Sequence, residues 1–204
     1  MRSNNILFIH IPKTGGNSFL THPFYLEKIV HLGHFASQKL DYTKNNYDTI
    51  FTIVRNPYSR MVSAYFYLKK GGMKNELDLY YQKLLEPYDT FDSFVKYLKE
   101  EPEFINEIIH MVPQLDFIYD KKLGLLVDDI LYNESLNEDF FIFCDKHSNT
   151  CPNILEENKS KHNDYKIYYN KELQNIIYNL YKDDFVKLGY NYNYRIEESN
   201  RKYY

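Results

Sequence analysis

A lysine and two glycines follow the first apolar run of the chain, in the stretch FIHIPKTGGNSF. The run Ile6–Ile11 predicts a short buried strand, and a helix is expected to begin near Asn17. A glycine-rich turn between a strand and a helix exposes backbone N–H groups, which bind phosphate or sulfate oxygens. Gly15 and Gly16 allow close backbone approach, and Lys13 adds a mobile positive charge. The turn therefore predicts an anion site.

The order of residues in this turn differs from the nucleotide-binding pattern in which glycines precede a Lys-Ser or Lys-Thr pair. Here the lysine comes first, and the sequence offers no convincing acidic partner for holding a metal ion. We therefore expect an anion that is bound without Mg²⁺. A plain strand-to-helix turn is the alternative interpretation.

A second turn of the same kind carries arginine and serine, in the stretch VRNPYSRMVSAYFY. Arg55 follows the predicted strand Ile50–Val54, where its guanidinium can form a bidentate pair with a phosphate. Arg60 lies one turn into the following helix, and Ser63 lies about two turns in, where it can donate a hydrogen bond. The alternative is a surface arginine and a solvated serine. Two such turns at one sheet edge predict a ligand with two separated anionic groups.

The elements around these turns indicate an α/β chain with a central parallel sheet and helices on both faces, and ligands of such sheets bind beyond the carboxyl ends of the strands. A third strand is expected at Leu125–Tyr132. A polar connection with a short helix at Ala36–Leu40 is expected over His31–Lys44, and Cys151–Tyr165 is expected to be a polar loop. Helices are expected at Tyr58–Leu68 before Gly71 and Gly72, Asn75–Leu85, Phe91–Glu100 after a Thr90 or Asp89 cap, Leu136–Asp145 after a Ser135 cap, and Lys171–Leu188 between Asn170 and Gly189.

The composition is that of an ordinary globular chain of 204 residues, for which we expect a single domain over residues 1–204. A net charge of −3 argues against a protein that coats nucleic acid or an anionic membrane. Cys144 and Cys151 make neither a disulfide framework nor a CxxC pattern; a zinc site that joins them to His31 and His34 is the alternative. No signal peptide or transmembrane segment is indicated, so a cytoplasmic location is expected.

The two turns resemble the nucleotide loops of a known family. IPKTGGNS resembles the 5′-phosphosulfate loop, and VRNPYSRMVSAY the 3′-phosphate loop, of sulfotransferases that use 3′-phosphoadenosine 5′-phosphosulfate. The resemblance is strongest to the Golgi-type carbohydrate sulfotransferases, such as the heparan sulfate 2-O-sulfotransferases, and their bacterial relatives. It continues through VPQLDFI, ILYNESLNEDF and NKSKHNDYKIYYNKELQNIIYNLYKDDFVKLGYNY, and so spans nearly the whole chain. One departure is Asn17, where the family more often has Thr or Ser.

The resemblance implies a three-layer, P-loop-like fold and a role for each matching residue. Lys13 is expected to contact the bridging oxygen and the 5′-phosphate and to stabilise charge as the sulfonate leaves. Arg55 and Ser63 are expected to hold the 3′-phosphate, and Ser160 and Lys161 to approach the nucleotide from the late polar loop. The residues expected to wrap the 5′-phosphosulfate are Thr14, Gly15, Gly16, Asn17 and Ser18.

Transfer to a hydroxyl also requires a group that accepts its proton, and histidine suits this near neutral pH. LGHFASQKL resembles the family segment that holds a catalytic histidine, and His34 is the residue at that position. His31 is the reserve. Some relatives use a glutamate, which keeps Glu27 as an alternative. His10, inside the first predicted strand, is interpreted as structural.

The sequence therefore predicts an enzyme that transfers a sulfonate from this donor to a hydroxyl of a carbohydrate or similar acceptor, in line and without metal. A metal-dependent phosphotransferase and a non-catalytic nucleotide-binding module are the alternatives. Acceptor contacts are expected within Gly72–Gln114, and no nucleic acid partner is expected. The sequence indicates no oligomeric state.

Overall fold

The computed structural model describes residues 6–16, 29–32, 47–147 and 164–193. These residues group into two compact units. The first unit takes the described parts of Met1–Arg55 and Pro113–Lys159, and the second takes those of Asn56–Val112 and Ser160–Asn200. The single domain expected from the sequence stays a prediction.

A parallel sheet is the centre of the first unit. The strands of this unit's described part are β1 (Ile6–Ile9), β2 (Ile29–Leu32), β3 (Thr49–Val54), β4 (Tyr119–Asp120), β5 (Gly124–Leu125) and β6 (Asp129–Tyr132). The sheet has the order β2-β1-β3-β6, and each neighbouring pair is parallel. The short strands β4 and β5 form a separate antiparallel pair. Because β1 and β3 are neighbours, the chain segments that follow them leave the sheet at the same edge.

The core of the first unit forms where helix α5 (Leu136–His147) packs on the sheet. Every residue of β1 and β3 is buried, as expected for parallel strands that are covered on both faces. Phe51 stacks on Phe8 with 4.9 Å between ring centroids, and Phe143 of α5 lies 4.5 Å from Phe51. The other buried members of this cluster are Ile6, Ile53, Leu131, Phe140 and Cys144. The unit also contains the short helix α4 (Leu115–Ile118).

The second unit is helical in its described part. Its helices are α1 (Pro57–Lys69), α2 (Glu76–Leu85), α3 (Phe91–Glu100), α6 (Lys171–Leu180) and α7 (Lys182–Lys187), with 3-10 turns at Pro102–Glu107 and Tyr165–Tyr168. Local capping explains where α1, α2, α3 and α6 begin, because the side chains of Asn56, Asn75, Thr90 and Asn170 each accept a hydrogen bond from a first-turn N–H group. The Thr90 and Asn170 caps confirm the sequence prediction.

Two element predictions and one cap prediction were wrong, and in the two elements a tertiary contact overrides the local pattern. The strand expected over Leu125–Tyr132 is two strands, since the Asp128 carboxylate between them accepts a hydrogen bond from the Ile50 N–H at 2.8 Å. The helix expected over Lys171–Leu188 breaks at Tyr181, whose buried hydroxyl donates to the Met111 carbonyl at 2.5 Å. Ser135 does not cap α5, because its buried hydroxyl has no hydrogen-bond partner.

The polar connection expected from residue 31 onward begins later than predicted. Ile29–Leu32 is strand β2, and Phe8 of β1 is opposite His31 in the register. The helix expected near Asn17, the short helix at Ala36–Leu40 and most of the loop at Cys151–Tyr165 lie outside the described residues.

The fold class is confirmed as α/β with a parallel sheet flanked by helices. None of the helices in the described ranges has the length and apolar character needed to cross a bilayer.

Candidate functional site

The segment after β1 makes a tight turn through two left-handed residues. Lys13 has φ 67° and Gly15 has φ 94°. A left-handed backbone costs a residue with a side chain roughly 1–2 kcal/mol, so Lys13 keeps this conformation only because its surroundings fix it. Thr14, which is fully buried, donates from Oγ1 to the Ile11 carbonyl at 2.9 Å. Gly16, the last described residue of the segment, has helical backbone.

The side chains of Asn133 and His10, both in the first unit, pack against this turn. The Asn133 Nδ2 donates to the Thr14 carbonyl at 2.9 Å and occupies the space that a β-carbon on Gly15 would need. The buried His10 ring stacks on Phe8 with 5.6 Å between centroids, and it fills the corresponding space beside Gly16. Both glycines are therefore required by close packing against protein side chains. His10 has the structural role that its position in the sequence suggested.

Arg55, the residue after β3, meets the first turn. Its Nη1 donates to the Lys13 carbonyl at 3.2 Å. Its own main chain is held by Gln114, which accepts from the Arg55 N–H at 2.9 Å and donates to the Arg55 carbonyl at 2.9 Å. Gln114 is fully buried. Two residues that the sequence assigned to different anion groups are thus brought together at the carboxyl edge of the sheet.

The other predicted residues of the second turn lie in the second unit. Ser63 is buried on α1. Its side chain is therefore not the solvated serine of the alternative interpretation. Arg60 is also buried, and its Nη1 donates to the Val112 carbonyl at 2.8 Å. The use of Ser63 in a 3′-phosphate site stays a prediction.

Several predicted site residues lie outside the described ranges. These are Asn17, Ser18, Glu27, His34, Ser160 and Lys161. Of His31, only the position on β2 is described. Their roles therefore stay predictions from the sequence.

Among the described residues, the groups whose pKa values are clearly shifted lie outside the first turn. Burial, followed by the charge of Asp89, raises the pKa of Tyr65 to about 12. Burial also raises the pKa of Tyr88 to about 12, with the side-chain hydrogen bond to Tyr97 as the second cause. Hydroxyls with such pKa values stay protonated at neutral pH, so these tyrosines are not poised as general bases.

No group of three or more potential metal ligands occurs within residues 6–16, 29–32, 47–147 and 164–193. Lys13 and Arg55, in contrast, bring two positively charged side chains to one edge of the sheet, and both are partly exposed. These two cationic side chains suit an anionic ligand.

The family model described as the sulfotransferase family matches residues 1–191. The chain belongs to the sulfotransferase family. No curated protein and no solved structure matched the chain in the corresponding comparisons. The match confirms the sulfotransferase family that the two turns predicted, and the observed α/β sheet agrees with the P-loop-like fold of that family.

Sequence reasoning missed the roles of Gln114 and Asn133 in this sulfotransferase. In the sequence, Gln114 stands out only as part of VPQLDFI, and Asn133 only as part of ILYNESLNEDF. One signal was present for Asn133, a polar residue directly after the strand β6, where parallel sheets place their functional groups. The signal for Gln114, which lies directly before α4, is the resemblance of VPQLDFI to a glutamine-containing segment of the family.

Proposed function

We propose that this sulfotransferase moves a sulfonate group from 3′-phosphoadenosine 5′-phosphosulfate to a hydroxyl of a carbohydrate or similar acceptor. The observation that carries the proposal is the hydrogen bond between the Arg55 guanidinium and the Lys13 carbonyl. It supports a donor with two anionic groups, because each partner belongs to one of the two turns. The order of the sequence motifs supports the finer placement among the Golgi-type carbohydrate sulfotransferases and their bacterial relatives.

The residues of the first turn would hold the 5′ end of the donor. The backbone N–H groups of Gly15 and Gly16 and the charge of Lys13 suit the 5′-phosphosulfate. Thr14 contributes its backbone, because its hydroxyl is bonded to Ile11. Asn17, Ser18, Ser160 and Lys161 are retained as proposed donor contacts on the sequence resemblance.

The 3′-phosphate is assigned to Arg55. Ser63 is assigned to it as a second hydrogen-bonding residue, on the sequence resemblance. A guanidinium presents five N–H donors in a planar fork that matches phosphate oxygens. Anchoring of the Arg55 main chain by Gln114 reduces the freedom that binding would otherwise have to remove.

The donor supplies an activated sulfonate on its 5′-phosphate, and the chain supplies the charge stabilisation and the base. His34 accepts the proton of the acceptor hydroxyl as the new oxygen–sulfur bond forms. Lys13 stabilises the negative charge that develops on the 5′-phosphate as its bond to sulfur breaks. Neither step assigns a role to a metal ion, and we propose metal-independent transfer.

A nucleotide-binding experiment tests the donor. The desulfonated product, 3′-phosphoadenosine 5′-phosphate, should raise the thermal midpoint more than AMP does, because it binds the folded protein through one further phosphate. Equal shifts from the two nucleotides would contradict the 3′-phosphate site.

A transfer assay with ³⁵S-labelled donor tests the chemistry. Acceptor panels of saccharides, lipids and phenols should show incorporation into one hydroxyl-bearing class, and EDTA should leave the rate unchanged. A strict requirement for Mg²⁺ would favour the phosphotransferase, and donor binding without any transfer would favour a non-catalytic module.

A further inference from the structure

The carboxamide of Gln114 pairs with both main-chain polar groups of one residue, Arg55. The Arg55 N–H donates to Oε1 and the Arg55 carbonyl accepts from Nε2, each at 2.9 Å. Arg55 lies one residue past the end of β3. The side chain of Gln114 thus supplies the two hydrogen bonds that an adjacent strand would supply inside a sheet.

This pairing fixes the point from which the Arg55 side chain leaves the sheet. A long side chain reaches a target reproducibly only if its backbone is held, because each of its torsions adds freedom. From that point the guanidinium reaches the Lys13 carbonyl at 3.2 Å, across 42 positions of sequence. Gln114, Arg55 and Lys13 therefore form one chain of hydrogen bonds that ends at the left-handed residue of the first turn.

Other partly or fully buried glutamines of the chain show what a structural role looks like. Gln174 donates from Nε2 to the Tyr192 carbonyl at 2.7 Å, and Gln82 donates to the Lys69 carbonyl at 3.0 Å. Their acceptors belong to residues outside both turns. Gln114 differs because both ends of its amide are hydrogen-bonded to one residue, Arg55, whose guanidinium belongs to the candidate site.

We propose that Gln114 is a positioning residue for donor binding. It holds Arg55 where the guanidinium engages the 3′-phosphate, and it transmits this restraint to the first turn through the Lys13 carbonyl. The inference rests on the proposed function, since it needs a donor that carries a 3′-phosphate. Gln114 itself, being fully buried, acts through Arg55 and not on the nucleotide.

A double-mutant cycle tests this role. Calorimetric titration would give the affinities of wild type, Gln114→Met, Arg55→Ala and the double variant for 3′-phosphoadenosine 5′-phosphate and for AMP. Methionine keeps the length of glutamine but lacks its amide. We expect Gln114→Met to lower the affinity for the bisphosphate by about threefold to tenfold, the change that one or two ordinary hydrogen bonds produce. The affinity for AMP should change much less.

The decisive readout is the coupling. In the Arg55→Ala background, Gln114→Met should cause no further loss of bisphosphate affinity, because residues in one network are not additive. Gln174→Met is the matched control, since it removes another glutamine amide that is bonded to main chain. It should leave both affinities unchanged. If Gln114→Met fails to fold, Gln114→Asn replaces it, because its shorter side chain cannot keep both hydrogen bonds.

Two outcomes overturn the inference while leaving the proposed function intact. One is an equal loss for both nucleotides in the Gln114 variant. The other is an undiminished loss in the Arg55→Ala background. A wild type that does not distinguish the bisphosphate from AMP would instead contradict the proposed function itself.

Discussion

The two edges of the parallel sheet in the first unit hold their polar groups in different ways. At the amino edge, the Asp129 carboxylate is 2.7 Å from the Lys146 Nζ and 2.8 Å from the His147 Nε2. The Thr49 hydroxyl lies 3.3 Å from the other ring nitrogen of His147. At the carboxyl edge, the hydrogen bonds of Gln114 and Asn133 run from neutral amides to main chain.

The difference teaches what each edge can do. A cation that is paired with a carboxylate of the same chain is largely neutralised, so such a cluster does not attract an anion. Neutral amides fix the backbone and leave the local charge unchanged. The edge that carries Lys13 and Arg55 is therefore the one suited to the proposed donor, whereas the charges of the opposite edge are paired within the chain.

The largest expected effect comes from removing the proposed general base or the lysine of the first turn. His34→Ala and Lys13→Ala should each lower turnover, by about 10²–10⁴-fold for loss of a general base. His34→Ala should keep near-normal affinity for the bisphosphate nucleotide, whereas Lys13→Ala should weaken it, because the lysine charge also meets the bound donor. Transfer assays and calorimetric titration of both variants measure this.

Lys74→Ala is the control for the lysine, because Lys74 also has a left-handed backbone, at φ 60° against 67° for Lys13. It should leave the affinity for the bisphosphate nucleotide unchanged, because Lys74 is not part of the proposed donor site. If His34→Ala keeps more than about a tenth of wild-type turnover, His34 is not the general base. His31 or Glu27 then takes that role.

A smaller effect is expected from adding a β-carbon at Gly15, on the side of the first turn that packs against Asn133. Gly15→Ala places a β-carbon against Asn133, whereas Gly124→Ala places one in open space, and both glycines have positive φ. Both variants should lose about 1–2 kcal/mol of unfolding free energy to backbone strain. Gly15→Ala should lose more, and it should also weaken bisphosphate binding.

Chemical denaturation and titration of the two glycine variants measure the difference. Equal stability losses with unchanged binding would mean that the contact between Asn133 and the turn does not shape the site.

The smallest expected effect belongs to the amino edge. Asp129→Asn should lower the unfolding free energy by about 1 kcal/mol, the upper range for a partly exposed ion pair. It should leave the preference for the bisphosphate over AMP unchanged, because Asp129 begins β6 at the opposite end of the strands. Urea unfolding and calorimetry measure both quantities.

Asp92→Asn, which removes the exposed pair with Lys96, should cost less stability and serves as the control. A change of nucleotide preference in Asp129→Asn would contradict the separation of the two edges.

Much of the fold could be predicted, because its signals act over short stretches of sequence. Asn170, Thr90 and Gly189 mark helix boundaries through hydrogen bonds or backbone preferences within a few residues, and the structure confirms them. Buried runs predicted β1 and β3. The strand β2 was missed, and its partner in the sheet, β1, is distant in sequence.

The sequence by itself determined the family, the α/β class and the position of Lys13 and Arg55 directly after two strands, because these follow from local patterns and motif order. The tertiary structure alone decided how those residues are held. Gln114 reaches Arg55 across 59 positions, and Asn133 reaches Thr14 across 119. No local pattern specifies such partners, because their meeting depends on the strand order, which the chain adopts only when the whole sheet and its core form.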